Sequence, residues 1–116
     1  MVFSAVCMLL PACGGGPDFT AVLSSVELRV HDTTCGSADV TWNVWTVSWE
    51  DRNREVVPLP WSRTRDYHVA DIELLAVREC ADDGVVSVEI HVDGVLRRLQ
   101  TAQGANAVAS TELFVD

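Results

Sequence analysis

Beyond Phe19 the apolar and polar positions of this chain alternate with period two rather than 3.6. Val26, Leu28 and Val30 are interleaved with Glu27, Arg29 and His31, the pattern of a half-buried strand. A loop over 32–37 follows. The next run, Asp39 to Trp49, is rich in β-branched and aromatic residues. It predicts one long strand with Val40, Trp42 and Val44 on one face and Trp45, Val47 and Trp49 on the other. Asp51-Arg52-Asn53-Arg54 predicts a polar turn, after which Glu55-Val56-Val57 pairs back until Pro58-Leu59-Pro60 ends the ladder.

Ser62 to Val69 reads as a further strand. Ile72, Leu74, Ala76 and Arg78 then alternate with Glu73, Leu75 and Val77, and Ala81-Asp82-Asp83-Gly84 is a turn. Two β-like runs joined by Asp93-Gly94 predict a hairpin with a type I′ turn. That turn predicts Val92 opposite Val95, Ile90 opposite Arg97 and Val88 opposite Leu99, with Glu89 facing Arg98 in an exposed ion pair. Small residues from Asn106 onward lead into Leu113, Phe114 and Val115. No stretch has the amphipathic period of a helix. Seven to eight short strands with a turn every eight to twelve residues predict an all-β, antiparallel, immunoglobulin-like β-sandwich over residues 25–116.

The first residues do not share this pattern. Met1 to Pro17 carries no charged side chain, and its apolar run ends in Leu10-Pro11-Ala12-Cys13 followed by Gly14-Gly15-Gly16. The run is too short to span a bilayer and has the form of a secretory signal core. Leu10 to Cys13 resembles the lipobox of bacterial lipoproteins. That resemblance implies a signal peptide over 1–12, removed before Cys13, a diacylglyceryl thioether on Cys13 and a flexible tether over 13–24. The exported chain is then anchored by lipid on the extracytoplasmic side of the cell membrane. A basic segment before the apolar run is absent, and the alternative is a buried N-terminal strand with two ordinary cysteines.

Seventeen acidic residues against eight basic ones give a formal charge of -9, which argues against nucleic-acid partners. Of the remaining cysteines, Cys35 and Cys80 flank predicted turns. In an oxidising compartment they are candidates for a disulfide, the alternative being two unrelated buried thiols.

Candidate chemistry is sparse. His31, His68 and His91 are separated in sequence with no second ligand at metal-binding spacing, so no metal or cofactor is expected. No nucleophile elbow or phosphate-cradling loop occurs, and the acid pairs Asp82-Asp83 and Glu50-Asp51 fall where turns are predicted; an enzyme is not expected. All four tryptophans lie between positions 42 and 61. Trp42 is expected in the core, whereas Trp45 and Trp49 either lie under a loop or form a patch for a partner or lipid.

Several segments resemble the MmpS family, small accessory proteins of actinobacterial RND-type lipid and siderophore exporters. They are Gly36-Ser37-Ala38-Asp39-Val40-Thr41-Trp42, Val57-Pro58-Leu59-Pro60-Trp61-Ser62-Arg63-Thr64, the Val86 to Gly94 run, Thr101-Ala102-Gln103-Gly104 and Ala107-Val108-Ala109. The resemblance implies a sandwich on the outer face of the cytoplasmic membrane that assists an RND-type membrane transporter by docking. Two features depart from it: family members carry an N-terminal transmembrane helix, and their cysteines sit where this chain has Val88 and, approximately, Ser110. The alternative function is a surface lipoprotein that binds a small apolar ligand, a lipid or siderophore.

Overall fold

The computed structural model describes residues Leu23–Asp116, so the expected signal peptide, Cys13 and nearly all of the tether lie outside the described residues. Eight strands follow in order: β1 (Ser24–Asp32), β2 (Ser37–Trp45), β3 (Glu50–Pro58), β4 (Trp61–Tyr67), β5 (Ala70–Arg78), β6 (Val85–Val92), β7 (Val95–Gln103) and β8 (Val108–Val115). They form two four-stranded antiparallel sheets of order β4-β1-β6-β7 and β3-β2-β5-β8. The predicted β-sandwich is the observed architecture, and no helix occurs among the described residues.

The alternation read in the sequence is the alternation of burial. Val26, Leu28 and Val30 of β1 and Val86, Val88 and Ile90 of β6 turn inward from one sheet. Val40, Trp42 and Val44 of β2 meet them from the other, with Ile72, Leu74 and Ala76 of β5. Two stacked pleated faces of this kind form one hydrophobic core.

Two turns differ from expectation. The run Asp39 to Trp49 is not one strand: β2 ends at Trp45 and the chain reverses over Thr46–Trp49. The Thr46 amide donates to the Trp49 carbonyl at 2.8 Å, and the Thr46 hydroxyl accepts from the amides of Ser48 and Trp49, a turn closed by a hydroxyl. Asp51 to Arg54, expected as the turn, lies inside β3. This edge strand exposes Arg52 and Arg54, so its composition resembles a loop.

The β6–β7 hairpin turns at Asp93-Gly94, both residues having positive φ (52° and 82°) as a type I′ turn requires. Val92 pairs with Val95 as predicted, but a bulge follows. His91 opposes Leu96, Ile90 opposes Arg98, Glu89 opposes Leu99 and Val88 opposes Gln100. Arg97 is the extra residue, and one extra residue shifts every later pair. The expected Glu89–Arg98 ion pair is therefore replaced.

The two ends of the sandwich differ. One end gathers the loops β1–β2, β5–β6 and β7–β8, where Cys35 and Cys80 form a disulfide with Cα atoms 5.8 Å apart. The guanidinium of Arg78, fully buried, knits these loops together. It donates to both carboxylate oxygens of Asp32 (2.7 and 3.1 Å), to the Thr34 hydroxyl, to the carbonyls of Asp82 and Gly104, and to the Asp82 carboxylate. The other end carries the β2–β3, β4–β5 and β6–β7 turns and both ends of the described chain. Ser24 pairs with Tyr67 and Val115 with Ala70, on either side of the β4–β5 turn.

Candidate functional site at the hairpin end

Along β4 every second side chain faces the opposite sheet: Trp61, Arg63, Arg65 and Tyr67 share the pleat face of the inward residues Val30, Leu28 and Val26. Each of the four reaches a tryptophan. Trp61 stacks at a tilt on Trp42 with centroids 4.9 Å apart, and the Arg63 guanidinium lies 5.6 Å from the Trp42 ring. Arg65 lies 5.8 Å from the Trp49 ring, and Tyr67 is 6.3 Å from it. The row spans the space between the edge strands β3 and β4 with rings and guanidinium groups set against Trp42 of β2 and Trp49 of the β2–β3 turn. Arg65 also pairs with Asp51 across the gap at 3.9 Å. Burial pushes the Tyr67 phenol above its ordinary range. Trp42, expected inside, is inside, and its indole Nε1 is buried without a hydrogen-bond partner.

The row opens at the hairpin end into a recess of about 430 Å³. Its walls are the β2–β3 turn, Thr46 to Trp49, and the segment Asp66 to Val69. Val47 at the turn's tip is 94% exposed and Trp49 43%.

Trp45 and Trp49, expected on one strand face, are separated by the reversal at Thr46. Trp45 lies on the outer face of its sheet, half-buried, with its Nε1 donating to the Glu50 carboxylate at 2.9 Å. Trp49 turns instead to the mouth between the sheets, against Tyr67 and Arg65. Cys35 and Cys80 are at the far end, joined to each other. The histidines are less separate than the sequence suggests. The Nε2 atoms of His31 and His91 lie 2.6 and 2.7 Å from the two oxygens of the Glu89 carboxylate on the outer face of the β1–β6 pair. Hydrogen bonds from His91, then His31, hold that carboxyl below its ordinary range.

Sequence reasoning missed the β4 row. The signal was present as aromatic, arginine, arginine and aromatic at every second position from 61 to 67, but arginines are ordinarily assigned to solvent. No protein-family model matches this chain, and no curated protein matches it.

Proposed function

We propose that this protein is a lipid-anchored, extracytoplasmic docking module of the MmpS-like type, assisting an RND-type lipid or siderophore exporter without chemistry of its own. The observation that carries this reading is the Cys35–Cys80 disulfide. Such bonds persist in oxidising compartments and are rare in the cytosol, in accord with an exported chain whose Leu10 to Cys13 segment resembles a lipobox. The polar groups at the disulfide end support a scaffold role, because Arg78, Asp32 and Asp82 are spent on one another and on backbone carbonyls.

The test is crosslinking in native-type membranes followed by mass spectrometry of what co-purifies. Recovery of a large RND-type permease is the expected result. Recovery of the anchored protein alone, with crosslinking efficiency confirmed, overturns the transporter partner.

The recess at the hairpin end favours a second reading, a surface lipoprotein that captures a small apolar ligand. Its volume falls within the range of small-molecule sites, and Trp49 and Tyr67 supply an aromatic wall. Quenching or a blue shift of tryptophan emission on adding lipid or siderophore extracts supports ligand capture; unchanged emission at saturating extract removes it.

A further inference from the structure

We propose that the hairpin end of the sandwich is its membrane-facing end, and that Val47 and Trp49 at the β2–β3 turn seat in the lipid interface. The proposal rests on the lipid anchor at Cys13 and adds to it an orientation and a contact surface.

The argument begins with where the chain enters the fold. Leu23, itself 56% exposed, precedes β1 at the hairpin end, where Ser24 pairs with Tyr67. About ten residues separate it from Cys13, and they include three consecutive glycines. Covalent geometry lets ten residues reach at most about 35 Å. Nine-residue strands such as β1 and β2 are about 30 Å long. A lipid on Cys13 therefore keeps the hairpin end within one tether length of the membrane, whereas the disulfide end is free to stand up to a further strand length away. The end held close is the one with an aliphatic side chain at its tip, almost wholly in water, and a tryptophan beside it.

The chemistry of these two residues fits an interface. A tryptophan has an apolar body and a polar edge, the combination enriched at the level of lipid headgroups. Val47 projects from a turn that Thr46 holds closed through its own hydroxyl, so the tip is pre-formed. Asp66 borders the recess and Asp93 tops the neighbouring hairpin. With Arg52 and Arg65 at this end paired to Glu50 and Asp51, and the chain carrying a net charge of -9, anionic headgroups are not favoured and a zwitterionic surface is the fitting partner. Two apolar side chains bind a membrane weakly when free in solution. They suffice here because the anchor makes the contact intramolecular, at an effective concentration in the millimolar range.

The experiment uses the full chain, matured in a lipidating host and reconstituted into phosphatidylcholine vesicles. A polarity-sensitive fluorophore is attached at Val47→Cys or, as the far-end control, at Asp83→Cys. Both positions are exposed and Cys35 is bonded to Cys80, so the folded domain tolerates the label. Flotation with the vesicles, with mass spectrometry of Cys13, first checks the anchor. The expected result is a blue shift and a several-fold loss of iodide quenching for the label at 47, with the label at 83 behaving as in water. A chain that floats with acylated Cys13 but gives identical, water-like signals at both positions overturns the membrane-facing end and leaves the anchor standing. A chain that does not float overturns both.

Discussion

Arg78 and Gly84 show how tightly single residues are specified at the disulfide end. Burial pushes the Asp32 carboxyl up, but hydrogen bonds from Arg78 and from the amides of Thr34 and Cys35 outweigh it and hold the group at about 2. Replacing Arg78 by Met strands that carboxylate in the interior without its cation, a change that costs about 3–5 kcal/mol. Adding Asp32→Asn to the Met variant removes the stranded charge, so part of the loss is expected to return, and chemical denaturation of the four proteins of the cycle measures the coupling. Gly84 lies so close to this network that a Cβ there would collide with the Thr34 hydroxyl and the Arg78 guanidinium. Gly84→Ala is therefore expected to cost about 1–3 kcal/mol, the usual range for overpacking. A denaturation midpoint equal to wild type would show that the loop yields and that the close approach is not a constraint.

At the scale of elements, the sandwich was legible wherever one face of a strand was wholly buried. In β1, β5 and β6 the inward residues are almost uniformly aliphatic, so period two identified both the strand and its face. Legibility failed at the edges. β3 has only Val57 buried and β7 has no buried residue, so the hydrophobic pattern could fix neither the turn before β3 nor the register of β7 beyond the bulge at Arg97. The candidate site was readable in half. Trp49 stood out as a tryptophan the core did not need, but its partners on β4 did not, because Arg63 and Arg65 remain exposed to solvent while also setting their guanidinium groups near tryptophan rings. The disulfide was legible as a candidate from compartment and turn placement, and only the fold could bring the two loops together. Its loss through Cys35→Ala plus Cys80→Ala releases a loop of 45 residues in the unfolded chain. The chain-entropy relation puts the cost at about 4 kcal/mol, readable as a lowered denaturation midpoint. A double variant as stable as wild type would mean that Arg78 alone holds that end.

Over the whole molecule the excess of acid sets how stability follows pH. Among the described residues six carboxylates are held below their ordinary ranges: Glu27 by Arg29, Asp32 and Asp82 by Arg78, Asp39 by Arg54, Glu50 by Arg52, and Glu89 by His91 and His31. A depressed pKa in the folded state means that the unfolded chain takes up protons first. Each group's contribution is thus complete above its unfolded pKa and is lost as pH falls through the folded one. For Asp32, going from 3.8 to about 2 corresponds to about 2 kcal/mol, surrendered as pH drops from about 5 towards 2. The pairs Arg29–Glu27, Arg52–Glu50 and Arg54–Asp39 are solvent-exposed on the arginine side and contribute little once salt screens them. The melting temperature is therefore expected to fall steadily with acidification over this range, and most of the fall should survive added salt, because the dominant pair, Arg78–Asp32, is sealed from water. Arg78→Met should flatten the curve as well as lower it, since without the guanidinium Asp32 loses the main cause of its depressed pKa. Calorimetric melts of wild type and Arg78→Met across this pH range, at low and high salt, decide the matter: parallel curves would place the acid sensitivity in the exposed pairs instead.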